Sequence, residues 1–431
     1  MMRTTRRQML AGSMMLPAVP VIGASSSAAD APVSIAGDLE TYIAFGNKQS
    51  GGSGDARCGE WMAGELEAAG YAIERINFDA PWFEPERCEL ACGDESVTLW
   101  PQPIVVPTPD AGIAAPLVRV GPDGGADAPL PGAIALVDLP WGRWSSLYWP
   151  QVRTPLQAAF DQGARAAVVV TNGPTDEVIA LNADGREPMF PGPVALLAPR
   201  EAGPFLAAAR EHRDARLVVT GQGGRRPAFN FVGRIDRGRG NWLVVSTPRS
   251  GWFDCAGERG GGVAAWLHIA RWAARDLHDH NLAFLCNSGH EYQYLGAAES
   301  MRHIAPPPQE TAFWLHLGAN LAAREWHDSV GGRRPLSATD AQRYLVVTSD
   351  LLPAARARFA GLSGLEDAYS SDQISAGELT AVLEAGYSPA AGIFGVHRFH
   401  HVAQDDARCV SPAAVAETTA AFVALVRDAL A

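Results

Sequence analysis

The chain has 431 residues, 47% hydrophobic and 19% charged, with a formal net charge of −12. That is enough apolar material for two domains or one large one. The negative balance carries no acidic tail or basic stripe and speaks against nucleic-acid partners.

The first residues read MMRTTRRQMLAGSMMLPAVPVIGASSSAADAP. Arg6 and Arg7 precede a short apolar stretch broken by Pro17 and Pro20, and small residues follow at Ala28 and Ala29. This is the layout of a twin-arginine export signal over 1–29, which predicts a periplasmic or secreted mature chain. The stretch is too short for a stable bilayer span, and no later segment is long and apolar enough for one. Cys88 and Cys92 lie close together in CELAC. In an exporting compartment they either pair across a turn or stay as buried thiols. Lys48 is the only lysine, which reads as compositional bias.

Along the chain, DARCGEWMAGELEAAG has helical spacing and ends at Gly70, and YAIERINFD alternates like a strand. Residues 108–225 change character. Short strands such as GAIALVDL, RAAVVVTN and DARLVVTG are separated by Pro and Gly, with one helix-like stretch, TPLQAAFDQGA. The strand LVVS then ends at Pro248, the glycine-opened helix GGGVAAWLHIARWAARDL follows, and NLAFLCNS is a second apolar strand. Strand, helix, strand in this order predicts α/β architecture with a mostly parallel sheet flanked by helices. The expected division is 33–107 plus 226–431 as one domain, with 108–225 as a β-rich insert.

The second apolar strand runs into FLCNSGHEYQYLG, so His290 and Glu291 stand at a strand end, where parallel sheets collect functional groups. Several stretches together resemble the zinc aminopeptidase family that includes the glutaminyl cyclases, metallopeptidase family twenty-eight. SGGSGDARCGEWMAGELEAAGY is similar to its N-terminal segment and AFNFVGRI to its re-entering strand. WLVVSTPRSGWFDCAGERGGGVAAWLHIAR followed by NLAFLCNSGHEYQYLG resembles its two metal-ligand segments. The 108–225 insert resembles a protease-associated domain.

The resemblance implies a site of His, Asp and Glu ligands for two zinc ions, with a glutamate base. Carried onto this sequence, the motif is altered. The first ligand and its neighbouring acid become Thr247 and Arg249. The bridging acid becomes Glu258, with its carboxylate about 1.5 Å further out. The base becomes His290, while Glu291 keeps a ligand position. The next ligand becomes His316, and the last is His401, followed by Asp405. Glu258, Glu291 and His401 are therefore expected to hold a single zinc, with His316 beside them. Asp405 is expected to orient His401 or cap the next segment. His290 reads as a general base or as a polar loop residue, and Arg249 as a receiver of a substrate carboxylate or an oxyanion. His397 and His400 lie close enough to replace His401. Trp252 and Phe253, with PWFEPE and WGRWSSLYWP, either line a substrate cleft or pack a domain junction.

HDHN at 278–281 reads as a solvated turn, and no Gly-x-Ser-x-Gly elbow is present. Two functions remain. One is an exported metal-dependent hydrolase of a small peptide or amide substrate, using one zinc. The other is a catalytically silent protein of the same fold that binds a peptide, glycan or protein partner. Oligomeric state stays open.

Overall fold

The strands Trp242–Pro248 and Asn281–Asn287 are buried at every position. They pair in parallel, with Leu282 opposite Leu243, and Thr311–Leu317 continues the parallel ladder on the other side, followed by Ala390–Gly395. Strands covered on both faces need apolar residues throughout, which is why these segments do not alternate. The helix Gly261–Asp276 makes the crossover. It turns Val263, Trp266, Leu267 and Ala270 into a core shared with Met62, Phe284, Leu315 and Phe422. The helices Ser53–Ala68 and Pro412–Leu430 cover the same face. Parallel pairing gathers the carboxyl ends of these strands on one edge.

The computed structural model describes residues 34–431, which form one unit. The expected export signal at 1–29 lies outside the described residues. Among them, no helix is long and apolar enough to cross a membrane.

Two long strands organise the rest. Ala72–Cys92 and Asp214–Ile235 run antiparallel along their whole length, from Ala72 opposite Arg234 to Ala91 opposite Arg216. One half of Asp214–Ile235 borders Asn281–Asn287; the other half borders Ile113–Val120. From there Ile134–Asp138, Ala166–Val170 and Val194–Leu197 extend the sheet in parallel. The ladder is thus continuous through a 14-stranded sheet, and Asp214–Ile235 runs straight through 225/226. Residues before 108 also join the distal core: Cys88, Leu90 and Val97 pack with Leu117, Leu136, Val168 and Phe205. All six cysteines are free and buried. Cys88 and Cys92 sit four positions apart on one strand, a separation of about 13 Å at 3.3 Å per residue. That excludes the turn-spanning disulfide, whose Cα atoms must lie within about 7 Å.

Candidate active site

The chain leaves Trp242–Pro248 through a turn in which Cys255 takes a left-handed conformation, φ +40°. One π turn follows, Ala256–Gly260, before the helix begins. Asp405 holds this turn: its Oδ1 accepts from Gly257 N at 2.7 Å and its Oδ2 from Glu258 N at 3.0 Å. Gly257 is required there, since a Cβ would stand 2.8 Å from both Asp405 Oδ1 and His397 Cε1. Single π turns recur at functional sites because they push adjacent side chains to one side. Here they are Glu258 and Arg259, both fully buried.

Glu258 Oε1 lies 2.7 Å from Arg259 Nη2 and 3.3 Å from His401 Nε2. His401 is itself held at φ +59°, with Nδ1 2.8 Å from the Ala180 carbonyl. Only a protonated Nδ1 can face a carbonyl, so Nε2 is the nitrogen left to face Glu258. His400 stacks on His401 with centroids 3.9 Å apart. Its Nδ1 has no hydrogen-bond partner, and neither Glu258 oxygen has one. Burial acts to raise the Glu258 carboxyl, but Arg259, His401 and His400 outweigh it and hold the group well below the carboxylate range. Glu258, His400 and His401 bring one ligand atom each within 4.8 Å of one another, the only such group among the described residues.

Beside this cluster is a cavity of about 340 Å³, lined by Arg259, His290, His316 and His400 among others. His290 Nδ1 lies 2.9 Å from Glu378 Oε1, and Glu378 Oε2 accepts from Asn287 Nδ2 at 2.9 Å. Burial and the Arg259 charge lower the His290 pKa, so the ring is neutral. Its Nδ1–H donates to the carboxylate and its Nε2 is a free base facing the cavity. Glu378 is driven down to about 2: burial opposes ionisation, but the His290 contact overcomes it. His316 Nδ1 lies 2.9 Å from Ser246 Oγ, which also accepts from Trp314 Nε1 at 2.9 Å. Ser246 has no acceptor other than Nδ1 for its own proton, and with that proton on Nδ1 the His316 ring carries its hydrogen on Nε2. Burial pushes His316 down to about 4, with His290 and Arg259 adding to the effect against Glu378.

Other expected site residues stand elsewhere. Arg249 does not reach the cavity. Its Nε lies 2.9 Å from Asp55 Oδ1, Nη2 donates to Phe229 O at 2.8 Å, and the guanidinium lies over the Phe229 ring. Glu291 does not join Glu258 and His401: Oε1 accepts from Ser50 N at 2.7 Å and Oε2 from Ser250 Oγ at 2.9 Å. Both carboxylate oxygens are thereby committed to tying two loops together. Thr247 donates to the Leu317 carbonyl. Asp405 supports the π turn and pairs with His397, not His401. Trp252 and Phe253 do not line the cavity. Trp252 packs edge-on between Trp100 and Tyr292 and donates to Asn182, and Phe253 lies against Trp100. Of WGRWSSLYWP, Arg143, Ser145 and Trp149 do reach the cavity wall.

Arg259, Ser246 and Glu378 were missed in the sequence. Arg259 had a signal, since it follows Glu258 directly; Glu378 had none, because it is the first residue of an otherwise ordinary helix, Glu378–Glu384.

No protein-family model matches the chain, and no curated protein matches it in sequence. Solved structures match it in shape. BSAP, a zinc aminopeptidase from Bacillus subtilis, covers 93% of this chain and 96% of its own at 16% identity, with a TM-score of 0.70. An aminopeptidase from Aneurinibacillus sp. strain AM-1 covers 91% and 93% at 17% identity, TM-score 0.64. A peptidase M28 precursor from Shewanella amazonensis covers 90% of each chain at 15% identity, TM-score 0.69. The chain has the zinc aminopeptidase fold.

That fold raises the question of zinc. One carboxylate that accepts no hydrogen bond, one imidazole nitrogen without a hydrogen-bond partner and one imidazole with its other nitrogen anchored on a carbonyl are a donor set that fits zinc. Arg259 Nη2 also stands 2.7 Å from Glu258 Oε1.

Proposed function

We propose that the protein is an exported hydrolase of peptide or amide bonds that uses one zinc, held by Glu258, His400 and His401. The observation that carries this reading is the convergence of those three groups within 4.8 Å, with neither Glu258 oxygen accepting a hydrogen bond. A buried carboxylate without hydrogen bonds is costly, and a bound cation removes the cost. When bound, zinc supplies a Lewis acid for a substrate carbonyl and lowers the pKa of water. The protein's own groups do the rest. His290 Nε2, fixed by Glu378 behind it, takes the proton from attacking water. His316 Nε2–H donates to the oxygen on which negative charge develops. A cavity of about 340 Å³ suits a small peptide or amide. Export rests on the Arg6–Arg7 stretch, and a protease-associated role for 108–225 rests on its resemblance and on Trp149 at the cavity wall.

Metal analysis of the purified mature protein, with hydrolysis of a panel of N-acyl amides, tests the reading. About one zinc per chain and activity lost in His290→Ala are expected. A chain that stays metal-free in excess zinc, with no turnover, supports the silent binder instead.

A further inference from the structure

Arg259 is 1% exposed, yet Nε, Nη1 and Nη2 all lack a hydrogen-bond partner. Its contact with Glu258 at 2.7 Å is electrostatic and is not aligned as a hydrogen bond. Five N–H donors removed from water, with only one acceptor nearby, are expensive unless something in the cavity accepts from them. Arg259 is among the residues that line that cavity, and no aspartate or glutamate is. Arg143, the other cation on the wall, is engaged by Asp340, with Nη1 3.0 and 2.8 Å from its two oxygens. Arg259 is thus the cation left with free donors there.

Resting on the hydrolase reading, we propose that Arg259 receives the carboxylate of the substrate, so that the site takes N-acylated amino acids in preference to neutral amides or free amines. A planar guanidinium presents paired donors that match the two oxygens of a carboxylate. Glu258 already balances one positive charge, so a monoanion suits the pocket better than a phosphate dianion, which would crowd two charges against Glu258. Trp149, Tyr294, Tyr344 and Phe394 give the remaining wall an aromatic character suited to an apolar side chain. The absence of any lining carboxylate leaves nothing to hold a substrate ammonium, which is what free amino-terminal peptides would bring.

The test is calorimetric titration of the zinc-free and zinc-loaded protein with N-acetylphenylalanine, N-acetylphenylalaninamide and inorganic phosphate. The acid is expected to bind at least about tenfold more tightly than its amide, in both metal states. Arg259→Met is expected to abolish that difference and Arg259→Lys to restore part of it. Equal binding of acid and amide to the unmodified protein overturns the proposal without any variant. So does an acid preference that survives Arg259→Met, or phosphate binding as tight as the acid. Zinc content and cleavage of the neutral amide are read separately. If they stand while acid preference fails, only the carboxylate assignment falls; if they fail while acid preference stands, the hydrolase reading falls and Arg259 remains an anion site.

Discussion

His290 Nδ1 stands 2.9 Å from Glu378 Oε1, across 88 residues of chain. The pair fixes the tautomer of His290 and aims Nε2 into the cavity. Glu378→Gln removes the charge and lets the ring adopt either tautomer. Turnover is expected to fall about 10–100-fold, approaching the loss from removing a general base. Zinc content should not change. Steady-state kinetics beside metal analysis checks both.

The family resemblance put Glu291 in a ligand position; the proposed zinc site draws on His400 instead. His400→Ala or Glu258→Gln is expected to lower zinc content sharply. Glu291→Gln is expected to leave zinc in place and cost about 1–3 kcal/mol of stability, because the amide NH₂ meets a donor where a carboxylate oxygen accepted. Zinc lost from the Glu291 variant while its fold is intact would restore Glu291 as a ligand.

Arg249 and Asp55 form a fully buried pair 2.9 Å apart, and Asp55 Oδ2 also accepts from Ser288 Oγ and Gly51 N. Arg249→Met leaves Asp55 charged and unpaired. The expected cost is about 3–5 kcal/mol in chemical denaturation. A loss of activity without that loss of stability would return Arg249 to the chemistry.

His316 sets a pH dependence. Its folded pKa, about 4, lies below the unfolded value of 6.5. The unfolded chain therefore takes up this proton first as pH falls. The stability from keeping His316 neutral is present above pH 6.5 and is lost toward pH 4, at about 1.4 kcal/mol per pH unit. Over that window the loss is about 3 kcal/mol. His316→Gln is expected to flatten the fall, measured by urea unfolding at pH 7 and pH 4.5. An unchanged slope would assign the acid sensitivity to other groups.

The sequence by itself determined the fold and its order of elements. The apolar runs at 242–248 and 281–287, and the glycine-opened helix between them, have one compact solution, a parallel strand-helix-strand unit. It also marked Glu258, His290, His316 and His401, because strand ends and close neighbours in sequence deliver them to one edge. What the tertiary structure decided was direction. Arg249 and Arg259 are both arginines on the same loop, and only packing sends the first behind the sheet, against Gly59 and Phe229, and the second to the cavity wall. Glu291 has the right residue type at the right place, yet Ser50 and Ser250 capture both its oxygens. Glu378 and Ala180 shape the site from segments with no pattern of their own. A sequence motif fixes where a backbone atom arrives; which way the side chain turns depends on hydrogen-bond partners that come from distant parts of the chain.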